Sequence, residues 1–143
     1  MNLIVVGADE SPGSCRAVLW AADLAVRLGA AIIAVHAFEP LDHLADVQPG
    51  TDLTDVRDSI HEQLVHEWCG GLATAAVDFE AVIEEGRPAD VLVAVARDRD
   101  AGLIVLGARR MGWLKALALG STSHRVLHEA QCPVVIVHDR TPE

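Results

Sequence analysis

The chain has 143 residues and a formal net charge of −10, and 51% of its residues are hydrophobic although only 3% are aromatic. This length predicts a single domain over residues 1–143, with a core of Ala, Val, Leu and Ile. The negative charge argues against a general affinity for nucleic acid or for an anionic membrane, because both need a basic surface. With five Phe and Trp residues and no Tyr, aromatic stacking on nucleobases is not expected either.

The first part of the chain predicts a strand, a helix and a second strand. Residues 3–6 form an apolar run that ends at a glycine, and residues 31–37 form another. Between them, Ser11 and Pro12 are typical of an N-cap followed by proline at the first helical position, and Gly29 is placed to end the helix. Apolar residues at intervals of three and four predict its buried stripe: Ala17, Trp20, Ala21, Leu24, Ala25 and Leu28.

The middle of the chain predicts a loop, a helix and an edge strand. Residues 39–54 are polar and acidic and contain two prolines and a glycine, which predicts one long loop and a candidate lid. A helix is predicted over 55–72, and a strand over 77–83 whose alternation of apolar and acidic residues indicates an edge position. The face of the helix that should be buried carries Val56, Ile60, Leu64 and Trp68.

The last part adds two helices and two strands. Gly86 and Pro88 mark a turn before a helix over 89–99, and strands are predicted over 103–106 and 134–137, with a helix over 122–130 between them. Five strands separated by four helices predict an α/β fold, an open parallel sheet with helices on both faces. Ligands of such sheets bind beyond the carboxyl ends of the strands. Residues 7–10, 36–38 and the loop from Gly107 lie at these ends, and they should meet in one crevice if the first and fourth strands are neighbours where the strand order reverses.

The loop from Gly107 to Gly112, followed by Gly120-Ser121-Thr122-Ser123, outlines an anion site. Glycines allow a ligand close to the backbone, and a hydroxyl-capped helix start favours negative charge. Residues 107–128 contain four Lys or Arg residues and no acidic residue. No Walker A motif, G-x-G-x-x-G motif or nucleophile elbow is present, so Ser121 and Ser123 would be helix caps if no nucleotide binds.

Cysteine and histidine spacings predict no metal site and no disulfide framework. The three cysteines have no paired spacing, which fits a reducing cytoplasm. His61 and His66 are five residues apart instead of the four of a zinc protease motif, and the pair at His124 and His128 would chelate only weakly. The N-terminus lacks the basic region of a signal peptide and no segment reaches membrane-spanning length, so a cytoplasmic protein is expected.

These segments resemble the universal stress protein family over nearly the whole chain. Residues 4–12 resemble its first strand and the Asp-containing turn, residues 86–88 its turn before the third helix, and residues 103–107 its fourth strand. The most specific similarity is at the end, in residues 119–121, 126–127 and 132–137. The resemblance implies a Rossmann-like fold similar to that of adenine nucleotide hydrolases, and a function in stress response.

The resemblance also implies the residues of a nucleotide site. Asp9 and the backbone at Ala8 and Ala37 would hold the nucleoside, and Leu106 would line the adenine pocket. The phosphates of ATP, with Mg²⁺ if present, would be held by Gly107, Gly120, Ser121 and Thr122. Each role has a structural alternative, because Asp9 can cap the first helix and Gly107 can be a tight strand exit.

The phosphate motif departs from the family pattern at one position. Nucleotide-binding members carry two residues between the first and second glycine and nine between the second and third. Gly107 and Gly120 keep the overall separation of thirteen, but Arg110 stands at the middle glycine and Gly112 follows two positions later. A side chain there can clash with phosphate, whereas a guanidinium can also bind it.

Two functions therefore remain open. The first is a cytoplasmic regulator that binds ATP or a related adenine nucleotide without rapid turnover, hydrolysis being slow and incidental. The second is an interaction module of the same family, with its site blocked by Arg110 and an unknown protein partner. In both, the resemblance implies a homodimer through strand 134–137, which would cover an apolar sheet edge.

Overall fold

A computed structural model describes residues 1–39, 52–108 and 120–138. The described residues include five strands: β1 (Leu3–Gly7), β2 (Ala31–Phe38), β3 (Phe79–Glu85), β4 (Leu103–Gly107) and β5 (Val134–Val137). All neighbours are parallel, and the order across the sheet is β3-β2-β1-β4-β5. The predicted open parallel α/β sheet is confirmed.

The helices of the described chain connect these strands. They are α1 (Pro12–Leu28), α2 (Leu53–Gln63), α3 (Gly70–Thr74), α4 (Pro88–Asp98) and α5 (Ser121–Glu129). The prediction of one continuous helix over 55–72 is wrong. A π-helical turn, Leu64–Trp68, separates α2 from α3, and its widened backbone lets the Cys69 N–H bond to the Leu64 carbonyl at 2.9 Å.

The central strands are buried on both faces. The middle residues of β1 and β4 are inaccessible to solvent, which explains why both strands are continuous apolar runs. Ile4 and Val6 belong to a core cluster with α1 and the α2–α3 region. Val5 lies on the opposite face, in a second cluster that includes Leu92 of α4 and Val126 of α5. Helices on both faces are therefore confirmed.

The bounds of α1 agree with the sequence, but part of its buried stripe does not. Ser11 is the N-cap and accepts a hydrogen bond from Ser14 N, and Gly29 ends the helix in the left-handed conformation at φ 65°. Trp20 and Leu28 were expected in the core but are 39% and 48% exposed. The helix instead packs on the sheet with its small residues, which permit a close approach: Ala17, Val18, Ala21, Ala22 and Ala25.

The two edges of the sheet differ. The predicted edge strand β3 starts at Phe79 rather than at residue 77, and it pairs only with β2 among the described strands. Part of the β3 backbone has a side-chain partner instead, because Arg57 Nη2 donates to the Ile83 carbonyl at 2.7 Å. At the other edge, β5 pairs with β4, and its four side chains are all half-buried.

The three cysteines are free thiols in different environments. Cys15 is exposed. Cys69, the residue after the π-helical turn, is buried, and this burial raises the pKa of its thiol to about 11. Burial also raises the pKa of Cys132, which is only partly exposed. Within the described ranges, the helices are too short or too polar to cross a membrane.

Candidate functional site

A crevice of about 910 Å³ opens at the carboxyl ends of β1, β2 and β4. The strand order reverses between β1 and β4, which is where ligands bind in open α/β sheets. The crevice collects residues from the turn after β1, the end of β2, one face of α2, the exit of β4 and the start of α5. Residues 7–10, His36 and Ala37 meet here with Gly107, as the sequence predicted, whereas the loop after Ala108 lies outside the described residues.

The turn after β1 is built around Ser14. Its Oγ accepts from the Asp9 N–H at 2.8 Å and donates to the Gly7 carbonyl at 3.3 Å, and the side chain is 6% exposed. Ala8 is anchored by its own N–H, which donates to the Val35 carbonyl at 2.9 Å. The turn is therefore held by both the helix and the neighbouring strand.

Asp9 both holds the turn that enters α1 and faces the crevice. Its Oδ1 accepts from the N–H of the N-cap residue Ser11 at 2.8 Å, so it supports the helix entry although it is not the cap itself. The side chain is half-buried and lines the crevice. No hydrogen bond reaches Oδ2 from the part of the chain that the structure describes. One carboxylate oxygen is therefore available to a ligand.

The end of β2 contributes Ala37 and a fixed histidine. His36 Nδ1 lies 2.9 Å from the Ala8 carbonyl oxygen. Because a carbonyl oxygen only accepts, Nδ1 carries the proton in this contact. The ring also contacts Trp68, with 5.0 Å between ring centroids and 50° between the planes. Both side chains line the crevice.

Trp68 is the site residue that sequence reasoning placed only in the core. It packs against the cluster beneath α1 as predicted, but it also borders the crevice. The composition predicted no aromatic stacking on nucleobases, yet one of the five Phe and Trp residues borders the crevice. In the sequence, the position of Trp68 at the crevice is indicated only by its four-residue spacing from Leu64, which places both on the helix face that extends toward the end of β2.

The exit of β4 places Leu106 and Gly107 in the crevice. Leu106 is 5% exposed and belongs to the core cluster with Leu92. A Cβ at Gly107 would overlap the backbone of Gly13 in the first turn of α1, and a Cβ at Gly13 would lie 2.8 Å from the Ala108 carbonyl oxygen. Gly107 is thus required by the packing of helix on strand, whether or not it also contacts a ligand.

The N-terminus of α5 opens into the same crevice without a side-chain cap. The N-cap is Gly120, with φ −58° and ψ 160°, so the predicted hydroxyl cap is wrong: Ser121 and Thr122 lie in the first turn. Gly120, Thr122 and the buried Ser123 line the crevice, and no acidic residue is in this turn. The first N–H groups of a helix lack intrahelical partners and carry partial positive charge. This end of the crevice suits an anion.

The charged residues of the described lining are all acidic. Asp9, Glu10, Glu39, Asp55 and Glu67 line the crevice, and the described lining residues include neither Lys nor Arg. The predicted site residues Arg110 and Gly112 lie outside the described residues, as do Arg109, Lys115 and positions 40–51 of the candidate lid. Phosphate charge near the acidic residues would need compensation from a cation.

The histidines do not form a metal centre in the described ranges. His124 and His128 of α5 are neighbours, with ring centroids 4.7 Å apart. Across residues 1–39, 52–108 and 120–138, no three or more His, Cys, Asp or Glu side chains are grouped so that they could hold a metal ion.

Comparisons with known proteins agree with this geometry. The sequence model of the universal stress protein family matches residues 1–138. A universal stress protein of Thermus aquaticus is 34% identical over 135 residues, which are 94% of this chain and 96% of the relative. One from Mycobacterium tuberculosis is 34% identical over 134 residues, but these are 93% of this chain and only 44% of that protein.

A solved structure gives the same result for the fold. A universal stress protein crystallised in complex with cAMP superposes with a TM-score of 0.70 and 27% sequence identity. The match covers 96% of both chains. The similarity is thus to whole proteins of this size as well as to one part of longer relatives.

Proposed function

Because this chain belongs to the universal stress protein family, we propose that it is a regulatory protein of the stress response that binds ATP or a related adenine nucleotide. The observation that carries the proposal is the uncapped N-terminus of α5, which opens into the same crevice as Asp9 and Leu106. Anion donors, a free carboxylate oxygen and an apolar wall are the three surfaces that a nucleotide needs.

In this proposal the nucleoside lies against the ends of β1 and β2. The Asp9 carboxylate accepts from ribose hydroxyls, the backbone at Ala8 and Ala37 contacts the nucleoside, and Leu106 is part of the apolar lining of the adenine pocket. The crevice volume of about 910 Å³ is within the range of ordinary small-molecule sites. The cAMP bound by the similar protein supports an adenine ligand.

The phosphates lie against the start of α5. The N–H groups of Ser121 and Thr122 and the Thr122 hydroxyl donate to them, with Gly107 and Gly120 permitting close approach. The acidic lining opposes an uncompensated triphosphate, so Mg²⁺ bound to the phosphates, or a guanidinium such as that of Arg110, supplies the balancing charge.

A second candidate function rests on Arg110. Where nucleotide-binding relatives carry the middle glycine, this side chain can fill the phosphate position. The protein would then act only through protein partners. In either case we propose a homodimer through β5, supported by the half-buried apolar side chains of this edge strand. Three free thiols support a reducing, cytoplasmic environment.

Calorimetric titration of nucleotide-stripped protein with ATP and Mg²⁺ tests the proposal. We expect micromolar binding by the natural chain and at least a tenfold loss in Asp9→Ala, with Asp58→Ala, on the exposed surface of α2, as the matched control. An Arg110→Gly variant separates the two candidate functions. Binding by this variant alone would reject the nucleotide regulator in favour of the interaction module.

A further inference from the structure

We infer that Trp68, supported by His36, stacks on the nucleobase of the bound ligand and makes the site selective for aromatic heterocycles; the inference rests on the proposed nucleotide function. The two rings form an aromatic wall at the β2 end of the crevice. Neither residue is in the phosphate motif. The sequence predicted His36 at the ligand-binding edge of the sheet but gave it no role, and it predicted Trp68 only in the core.

The π-helical turn puts Trp68 at the crevice. Ile60, Leu64 and Trp68 follow at intervals of four, and such a stripe drifts around an α-helix of 3.6 residues per turn. The bond from Cys69 N–H to the carbonyl five residues earlier widens the backbone and offsets this drift. Trp68 thereby stays on the face of the buried Leu64 while its ring reaches the crevice. Turns of this kind are frequent at functional sites.

The His36 ring is held in one orientation. Its Nδ1 donates to the Ala8 carbonyl at 2.9 Å, which links the end of β2 to the turn that carries Asp9. The rings of His36 and Trp68 are tilted by 50° at a centroid distance of 5.0 Å and are not stacked face to face. Trp68 is half-buried and borders the crevice, so part of its indole surface is available to a planar ligand.

The aromatic wall and the phosphate donors lie on opposite sides of β1. His36 lies near the carboxyl end of β2, whereas α5 follows β4, and β1 separates β2 from β4 in the sheet. Two strand spacings amount to about 9–10 Å. A ligand that bridges them has an aromatic base at one end and an anionic group at the other, with the sugar over Asp9.

The charges near the wall also favour a neutral heterocycle. Glu67 precedes Trp68, and Asp55 of α2 lines the same crevice. These carboxylates disfavour an anion at the β2 end and can accept from the N–H groups of a base. The phosphates are thus directed to the start of α5 and the base to Trp68.

Fluorescence of a single-tryptophan protein tests the wall directly. In Trp20→Phe/Trp113→Phe, only Trp68 emits, and we expect adenosine and ATP with Mg²⁺ to quench it, whereas ribose 5-phosphate does not. A matched protein that keeps only Trp20, on the exposed face of α1, should not respond. Because adenosine has no phosphate, quenching by adenosine without binding of ATP would support the wall and reject the nucleotide function.

Affinity gives the second readout. Trp68→Leu should weaken ATP binding by about ten- to a hundred-fold, the usual effect of losing one stacked ring, while Trp68→Phe should retain most of it. Thermal unfolding of both variants identifies any loss that comes from misfolding. ATP binding of unchanged affinity in Trp68→Leu, with no quenching of Trp68, would overturn the wall and leave the nucleotide function intact. Absence of binding by adenosine and ATP to the natural chain would overturn both.

Discussion

Gly107 matches the first glycine of the phosphate motif, yet its packing against Gly13 requires a glycine there whether or not a ligand binds. The resemblance assigns Gly107 to phosphate, yet its missing Cβ leaves space for the backbone of Gly13, and Gly13 in turn leaves space for the Ala108 carbonyl. A strand exit and a helix start meet there without side chains between them. The glycine that begins the phosphate motif is therefore explained by packing alone.

Gly107→Ala should destabilise the protein by about 1–3 kcal/mol, because overpacking forces the backbones of α1 and β4 apart. Urea unfolding followed by circular dichroism measures the change. The matched control is Gly70→Ala, where an added Cβ meets no atom within 4 Å, and alanine should stabilise α3 by up to about 1 kcal/mol. Equal stability of the two variants would contradict the packing role of Gly107.

Ser14 links one element to the next. It is part of α1, yet its Oγ bonds to the Asp9 N–H and the Gly7 carbonyl in the turn after β1. Ser14→Ala leaves both part-buried backbone groups without this partner and should cost about 1–3 kcal/mol of unfolding free energy. Ser59→Ala, at an exposed serine on α2, should change it by less than about 0.5 kcal/mol. The prediction fails if chemical denaturation gives similar values for both variants.

At the scale of elements, the sequence predicts helix ends well where the cap residues carry the signal. Ser11 with Pro12 and Gly29 bound α1 correctly. The prediction of a capping hydroxyl fails at α5, because the N-cap is Gly120, which has no side chain to accept a hydrogen bond from the first N–H groups of the helix. The sequence also fails to predict the π-helical turn, since the apolar pattern through Leu64–Trp68 is the same for a continuous helix.

At the scale of the whole molecule, the alternation of strands and helices predicted an open parallel sheet with its ligand site at the carboxyl ends of the strands. The strand order that places the crevice between β1 and β4 came from the structure. The position of Trp68 in that crevice could not be predicted either, because it depends on how the α2 region packs over the end of β2. The exposure of Trp20 has the same origin, since the sequence does not say which stripe of α1 is closest to the sheet. The roles of the site residues, including Arg110, stay predictions.

The edge of β5 that faces away from β4 has no strand partner among the described residues and is a candidate subunit interface. The carbonyls of Pro133 and Val137 accept from the N–H groups of Ile104 and Ala108. Because backbone groups alternate along a strand, those of Ile136 are directed away from β4. We expect a dimer in sedimentation experiments, and a monomer for Ile136→Pro, which removes an outward N–H that proline cannot supply. Ile136→Val should remain a dimer. A dimer that persists in the proline variant would show that another surface joins the subunits.

The proposed function requires an adenine nucleotide to bind in the crevice between β1, β2, β4 and the start of α5. Amide chemical shifts of the isotope-labelled protein, followed during titration with ATP and Mg²⁺, locate the ligand residue by residue. We predict saturable shifts that are largest at Ala8, Asp9, Ala37, Ser121 and Thr122. Shifts confined to other surfaces, such as the cavity between α2 and β3 that Asp58, His61 and Glu80 line, or no saturable shifts at all, would contradict nucleotide binding in this crevice.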